Sequence, residues 1–242
     1  MVEAELELIN LAKSKGGYDY YVMLSGQCYP VCGVSAIVSM LEKRYPEPFI
    51  EIVSPKKDNY VRVNYSRVYI NKRFILKSYG FLKKHLPYKL FRALRFIPGG
   101  IARINSLCKE LVCKSPVKRL EKMGMTGYCG SQWWILPDKV IDAIASVAED
   151  ASYRSVMRDV YSCDESFFQT AVMAGSAADM ISPDDNGDFR NSVWFFDFVD
   201  GSHPRLLIKD DYDRIVSSGK LFARKFDMEA DGEILDLLDK NR

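Results

Sequence analysis

The sequence has few of the residues that commonly build metal sites. Among 242 residues it has only two histidines, His85 and His203. It has six cysteines, but no two of them form a Cys-x-x-Cys pair, and Cys28 and Cys32 have no second pair of ligands at zinc-site spacing. The composition therefore favours buried free thiols over a structural zinc.

Long apolar runs are also lacking. No window offers 18 uninterrupted apolar residues, so no membrane-spanning helix is expected. The N-terminal stretch MVEAELELINLAKSK is acidic and helix-periodic, without the basic start and apolar centre of a secretion signal. These absences predict a cytoplasmic protein, with peripheral membrane attachment left open.

Acidic residues are nearly absent from residues 56–122. This range holds 18 Lys and Arg and only three acidic residues, a net charge of +15 against −13 for the rest of the chain. Within it, residues 71–97 mix basic side chains with aromatic and aliphatic ones and contain no carboxylate. Two interpretations remain open, a contact with an anionic membrane and a solvated helical hairpin. Nucleic acid is not expected as a partner, because no nucleic-acid-binding motif accompanies the charge.

Strand and helix patterns alternate on both sides of the basic segment. Predicted strands cover 19–26, 49–53, 61–70, 130–136 and 192–198, and predicted helices cover 2–13, 34–44, 138–149, 164–174, 210–219 and 229–240. The first helix is expected to bury Ala4, Leu8, Leu11 and Ala12. Because strands alternate with helices, the sequence predicts an α/β domain with a mixed sheet flanked by helices.

The stretch YSCDESFFQTA places two adjacent carboxylates, Asp164 and Glu165, at the start of an apolar run. One interpretation is helix chemistry, since Ser162 or Asp164 can cap a helix and acidic residues suit its first turn. The other makes one of the two carboxylates a catalytic base. The residues of this stretch alone leave both interpretations open.

Four blocks occur in a specific order along the chain: YYVMLSGQCYP at 20–30, GSQWWIL at 130–136, CDESFFQT at 163–170, and DGSHPRLL with SSGKLFARKFD between 200 and 227. Together they resemble the core 2/I-branching β-1,6-N-acetylglucosaminyltransferase family, including its bacterial members, and the related peptide O-xylosyltransferases. The resemblance spans most of residues 2–227, although 56–125 match only loosely.

The resemblance implies a GT-A-like fold and an inverting, metal-independent transfer of N-acetylglucosamine or a related sugar from a UDP-sugar to a glycan hydroxyl. It implies one partial glycosyltransferase domain over 1–242 with a basic helical insertion at about 71–122. Glu165 matches the family's catalytic base, which takes the proton of the acceptor hydroxyl. Asp164 keeps the capping role, and Cys163 stands where the family usually has proline.

The resemblance also implies substrate-binding residues and no cofactor. Arg205 and Lys225 match two basic side chains that stabilise the departing diphosphate in place of a divalent metal. Trp194 and Phe196 approximate aromatic positions of the acceptor pocket, although a core position is equally open for them. The formal Asp-x-Asp at 211–213 is expected to form an exposed first turn of a helix and not a metal site.

One departure from the family concerns the start of the chain. Family members begin with a strand–helix–strand segment that forms much of the uridine site, whereas Met1 here falls after it, so an N-terminally truncated domain is expected. Apolar surface should then be exposed near the first strand. The alternative function is a catalytically incomplete remnant, or a protein of the same fold that binds glycans or anionic membranes.

Overall fold

In the computed structural model, the described residues are 1–54, 116–160, 162–198 and 204–240. The strand predicted at 61–70 and the basic stretch at 71–97, with its predicted membrane contact, lie outside these ranges. Among the described helices, none is both long and apolar enough to cross a membrane.

Helices and short strands alternate through the described ranges, which confirms the predicted mixed α/β class. The helices are α1 Val2–Lys15, α2 Val34–Lys43, α3 Pro116–Lys122, α4 Asp138–Ala148, α5 Ala151–Arg158, α6 Phe167–Ala174, α7 Tyr212–Ser217 and α8 Glu233–Lys240. The strands are β1 Tyr20–Val22, β2 Cys28–Pro30, β3 Glu51–Ile52, β4 Ile135–Pro137, β5 Phe189–Arg190, β6 Trp194–Phe196 and β7 Phe222–Arg224.

The strands form three small sheets. In one, β1 pairs with β4 antiparallel, with Tyr21 opposite Leu136. In the second, β7 lies between β2, which is antiparallel to it, and β6, which is parallel. The third pairs β3 with β5, and a bridge between Phe49 and Ile135 connects the β3 segment to β4. The resulting arrangement is mixed, as the sequence predicts.

The largest hydrophobic cluster lies between β4 and helices α4, α5 and α6. Trp134 and Phe168 pack ring against ring at 5.1 Å, and both are almost fully buried. Tyr153 of α5 donates a hydrogen bond of 2.6 Å from its hydroxyl to the backbone oxygen of Phe167. This buried bond satisfies the tyrosine hydroxyl and connects α5 to the first residue of α6.

The predicted face of α1 is wrong. The helix buries Val2, Glu5 and Ile9, while Leu8 and Leu11 are 61% and 58% exposed. The helix is therefore rotated relative to the face that its leucines define, because Val2 and Ile9 join the main core. The two leucines, together with exposed Val22 and Leu24, form the apolar surface that the sequence predicts near the first strand.

The rotation of α1 buries a carboxylate. Glu5 is 3% exposed, and neither of its oxygens has a hydrogen-bond partner in the described residues. Burial raises the pKa of Glu5 to about 7 from an ordinary value of 4.5, and the negative charge of Asp164 adds to the rise. The carboxylate therefore binds its proton more tightly in the folded protein than in the unfolded chain.

We predict that this group makes the protein less stable as the pH rises. Unfolded Glu5 ionises near pH 4.5 and folded Glu5 near pH 7, so the free energy of unfolding should fall across that window and level off above it. The loss attributable to Glu5 should be about 3 kcal/mol. Urea unfolding of the wild type and Glu5→Gln between pH 4 and 8 measures this difference.

Glu7, exposed on the same helix, provides the matched control for the pH series. Glu7→Gln should keep the wild-type dependence of stability on pH, whereas Glu5→Gln should lose the fall between pH 4.5 and 7. Parallel curves for all three proteins would contradict the assignment of this pH dependence to Glu5.

Candidate active site

The first and the last of the sequence blocks that carry the family resemblance meet at the sheet formed by β2, β7 and β6. The backbone N–H of Phe226 donates to the oxygen of Gln27 at 3.1 Å, and that of Leu207 donates to the oxygen of Lys225 at 2.8 Å. These bonds bring the loop after β1 and the segment after Pro204 to the end of β7. The blocks are far apart along the chain but adjacent in the fold.

Glu165 lies in a short 3₁₀ turn, Cys163–Glu165, immediately before α6. Its side chain is partly exposed, and its backbone oxygen accepts a 2.8 Å hydrogen bond from the N–H of Gly130. This bond places the predicted base beside the segment that follows Cys129. The fold thus holds Glu165 through its main chain, and the residue as a whole is partly exposed.

The capping role predicted for this turn is wrong. Neither the 3₁₀ turn nor α6 has a side-chain hydrogen bond at its N-cap, which is Ser162 for the turn and Ser166 for the helix. The α-helix begins at Phe167, so Asp164 lies too early in the chain to serve the first N–H groups of α6. The electrostatic effect of Asp164 acts instead on buried Glu5.

Gly130 allows its loop to pass close to β3 at the point where the loop also contacts Glu165. A Cβ atom at this position would lie 1.8 Å from the backbone oxygen of Glu51, which is far inside van der Waals contact. One residue further on, the oxygen of Ser131 accepts a 2.7 Å hydrogen bond from Nε2 of Gln169 in α6. Glycine is therefore required where the loop passes between β3 and the turn that contains Glu165.

Arg205 forms the centre of an ion-pair network. Its Nε donates to Asp197 at 2.9 Å, its Nη1 donates to Asp211 at 2.8 Å, and its Nη2 contacts both carboxylates. Arg214 donates to the same two carboxylates, at 2.9 Å to Asp197 and 3.1 Å to Asp211. All three guanidinium nitrogens of Arg205 are therefore engaged by protein carboxylates.

The network shifts the pKa values of its members in the directions expected for ion pairs. The hydrogen bond from Arg214, followed by that from Arg205, lowers the pKa of Asp197. Burial alone would raise the pKa of Asp211, but the hydrogen bonds from Arg205 and from the N–H of Ile208 outweigh it and lower that pKa. Both carboxylates are therefore held in the charged form.

The expectation that Asp211 lies in an exposed first turn is wrong. Asp211 is 4% exposed and ends the 3₁₀ turn Lys209–Asp211, directly before α7. It is buried because Arg205 and Arg214 compensate its charge. No group of three or more His, Cys, Asp and Glu residues that could hold a metal ion occurs in the described ranges. That metal is not required stays a prediction.

Lys225 and Arg224 lie side by side at the end of β7, both partly exposed. The backbone oxygen of Lys225 is bonded to Leu207, and its ammonium has no hydrogen-bond partner among the described residues. Arg224 donates a 2.6 Å hydrogen bond from Nη1 to Oγ of Ser25, and its guanidinium carbon lies 4.5 Å from the centre of the Trp133 ring. The guanidinium of Arg224 therefore faces the loop that follows β1.

The two aromatic residues predicted for the acceptor pocket have different environments. Trp194 is 2% exposed and stacks on Phe222 with ring centres 5.2 Å apart, so its ring belongs to the core. Phe196 is partly exposed and lies 5.9 Å from the ring of Phe198, which is 53% exposed. Phe196 and Phe198 are thus partly or largely exposed aromatic rings of β6 and its continuation, unlike Trp194.

A family model described as the core-2/I-branching enzyme matches residues 1–213. The match includes Glu165 and Arg205 and ends before Lys225. No curated protein matches the chain significantly. The chain belongs to the core-2/I-branching enzyme family. Because that is a glycosyltransferase family, the chain belongs to a class of enzymes that transfer a sugar to an acceptor.

Sequence reasoning missed three parts of the site. It assigned no role to Gly130, to Ser25 or to Arg224, although each lies inside a block that it singled out. A glycine, a serine in a loop and an arginine next to a predicted lysine are common in any protein, so none of them indicates a functional site by itself. The close approach of Gly130 to β3 and the placement of Arg224 over an indole ring depend on tertiary contacts, which no local pattern encodes.

Proposed function

We propose that the protein is an inverting, metal-independent glycosyltransferase with a GT-A-like fold. It transfers N-acetylglucosamine or a related sugar from a UDP-sugar to a hydroxyl group of a glycan. Glu165 is the general base, and cationic side chains at the end of β7, with Lys225 among them, stabilise the departing diphosphate. The observation that carries the proposal is the hydrogen bond from Gly130 to Glu165, which joins the base to the loop leading to Trp133 and the cations.

In the proposed reaction the acceptor oxygen attacks the anomeric carbon from the face opposite the diphosphate. The bond from that carbon to the acceptor oxygen forms while the bond to the phosphate oxygen breaks, and UDP leaves with the electron pair. The carboxylate of Glu165 takes the proton of the acceptor hydroxyl. A single base on one face and an anion-stabilising group on the other are what an inverting transfer requires.

Three features of the site support this chemistry. Glu165 is partly exposed in a turn that the main chain fixes, which is compatible with a bound acceptor beside it. The ammonium of Lys225 has no carboxylate partner among the described residues, which leaves its charge available to phosphate oxygens. The partly exposed rings of Phe196 and Phe198 support stacking against an acceptor sugar.

The same role for Arg205, derived from the family resemblance, stays a prediction. Its carboxylate partners Asp197 and Asp211 would have to release a guanidinium nitrogen before it could bind phosphate. A supporting role fits its contacts better, because Arg205 connects the end of β6 to the 3₁₀ turn before α7.

The test of the proposed function is the release of UDP from UDP-N-acetylglucosamine and related donors in the presence of glycan acceptors. Acceptor-dependent release, with the transferred sugar identified by mass spectrometry, would support the proposal. If no donor and acceptor pair gives transfer, and circular dichroism shows that the protein is folded, the alternative of a catalytically incomplete protein is favoured.

We predict that turnover does not depend on a divalent metal. The two cations at the end of β7 supply the positive charge that a metal would otherwise bring to the leaving diphosphate. Excess EDTA should therefore leave the rate within about twofold of its value without chelator, and manganese should not raise it. Loss of activity in EDTA that manganese restores would contradict this part of the proposal.

A further inference from the structure

Strand β1 has one unpaired edge in the part of the chain that the structure describes. Its neighbour there is β4, and the N–H of Met23 donates at 3.0 Å to the residue before β4. In an antiparallel ladder alternate residues point to the same side, so Tyr21 and Met23 bond towards β4. The backbone groups of Tyr20, Val22 and Leu24 point the other way and have no hydrogen-bond partner among the described residues.

The sequence of this edge lacks the features that usually prevent edge-to-edge pairing. The stretch YYVML, residues 20–24, contains no charged residue and no proline. The side chains of Val22 and Leu24 are exposed. Edge strands that stay unpaired commonly carry a lysine, a proline or a bulge. An apolar edge with unsatisfied backbone groups is therefore suited to pairing with another strand.

A groove runs beside this edge, between β1 and α1. It has a volume of about 360 Å³, and its lining includes Leu8 of the helix and Val22 and Leu24 of the strand segment. The helix α1 contributes to the main hydrophobic cluster, against which Tyr21 and Met23 also pack. It therefore lies on the face of the strand from which these two side chains project. The exposed side of α1 and the edge of β1 form one apolar surface.

The register of the edge is self-complementary. When two identical strands pair antiparallel about a twofold axis, a residue on the axis can exchange both backbone hydrogen bonds with the same residue of the second copy. With Val22 on the axis, Tyr20 lies opposite Leu24 of the second copy. All the outward backbone groups of the three residues then find partners, and each cross-strand pair is apolar or aromatic.

The charges of α1 are also complementary between two copies. A twofold axis perpendicular to the sheet places the two α1 helices antiparallel on the same face, with Leu8 and Leu11 of each copy at the contact. Glu7 and Lys15 are exposed and have no ion-pair partner among the described residues. Leu11 is midway between them along the helix. A contact centred on Leu11 therefore places Glu7 beside Lys15 of the second copy.

We propose that a second copy of this chain covers this surface, by antiparallel pairing of β1 with β1 and packing of α1 against α1. The inference goes beyond the proposed function and does not depend on it. Each copy contributes one short strand edge and one helix face, which is at the small end of specific interfaces. A dissociation constant in the micromolar range is expected for such an interface.

The first experiment measures association by sedimentation equilibrium over about 1–200 µM protein. The wild type should form dimers. Val22→Pro removes an N–H on the axis but keeps the pairing with β4, because proline is tolerated where an edge N–H points outward. Leu8→Glu places a charge on the exposed helix face. Each change should raise the dissociation constant at least about tenfold. Met228→Glu, at an exposed position outside the groove lining, is the control and should not change it.

Charge reversal tests whether the partner is a second, antiparallel copy. Glu7→Lys and Lys15→Glu should each weaken dimerisation roughly threefold to tenfold, because each places like charges at two symmetric contacts. An equimolar mixture of the two variants should restore wild-type association, since both contacts then join opposite charges. Failure of the mixture to associate more strongly than either variant alone would contradict the antiparallel arrangement.

Hydrogen exchange of the wild type does not depend on the folding of any variant. The backbone N–H groups of Val22 and Leu24 should exchange more slowly at concentrations where the dimer forms, whereas those of α8 should be unchanged. Dimerisation of Val22→Pro and Leu8→Glu as strong as that of the wild type would overturn the proposal. A wild type that stays monomeric over the whole range would also overturn it and would leave this edge to a different polypeptide.

Discussion

Replacement of Glu165 by glutamine is expected to lower turnover by about 10²–10⁴-fold, the usual cost of losing a general base. Glutamine keeps the size of the side chain and its capacity for hydrogen bonding but cannot take the acceptor proton. The backbone bond between Gly130 and Glu165 does not involve the side chain, so the turn should remain in place. Initial rates of UDP release at saturating donor and acceptor measure the effect.

Asp164→Asn is the matched control for this prediction. Asp164 is the neighbouring carboxylate in the same 3₁₀ turn, and it caps neither the turn nor α6. Its replacement should change turnover by only a few-fold and leave Kd for UDP unchanged. Turnover of Glu165→Gln within a few-fold of the wild type would remove Glu165 from the role of base.

The second large effect is expected on stability, at Asp211. Asp211→Ala should lower the free energy of unfolding by about 2–3 kcal/mol, because Arg205 and Arg214 lose one of the two carboxylates that they share. The N–H of Ile208 also loses its 3.0 Å acceptor. Chemical unfolding followed by tryptophan fluorescence at neutral pH measures the difference.

Asp210→Ala tests whether the effect belongs to the network. Asp210 is adjacent in sequence and exposed, and its side chain has no hydrogen-bond partner in the described ranges. Its replacement should change stability by no more than about 0.5 kcal/mol, as for an ordinary surface position. Equal losses for the two variants would mean that the turn itself, and not the ion pairs, determines stability here.

Local sequence patterns predicted the helices whose first residues are typical of a helix start. The helix placed at 138–149 begins at Asp138 after Pro137, as the preference of proline for the start of a helix indicates, and it ends at Ala148. The helix Ala151–Arg158 carries a comparable signal, since Asp150 accepts a 2.7 Å hydrogen bond from the N–H of Ser152. The sequence itself contains this signal.

Tertiary contacts determine the buried face of α1 and the start of β4, which the hydrophobic pattern does not predict. The leucines of α1 define an apolar stripe, yet the helix buries Glu5 beside Val2 and Ile9 because those residues fit the main core. The stretch GSQWWIL reads as one strand, but regular pairing begins only at Ile135, after the loop has passed close to β3 at Gly130. Neither outcome can be computed from hydrophobic periodicity.

The sequence predicted which segments contain the residues of the candidate site but not the contacts that those residues make. Glu165 is predicted as the base through the family resemblance, its main chain lies beside Gly130, and its catalytic role stays a prediction. The contacts of Arg205 depend on Asp197 and Asp211, whose pairing spans eight and six positions and follows from the packing of β6 against the turn before α7. A sequence pattern indicates that a cation is present but not which carboxylates neutralise it.

Gly130 has a consequence for how this enzyme can be altered. Gly130 has no side chain and lies between the main chain of β3 and the main chain of Glu165, so it sets the distance between these two segments. Any side chain there would push the loop away from Glu51 and carry the carbonyl of Glu165 with it. Under the proposed function, directed evolution toward new acceptors should therefore diversify the surface around Phe196 and Phe198 and leave position 130 unchanged, because a side chain there would displace Glu165.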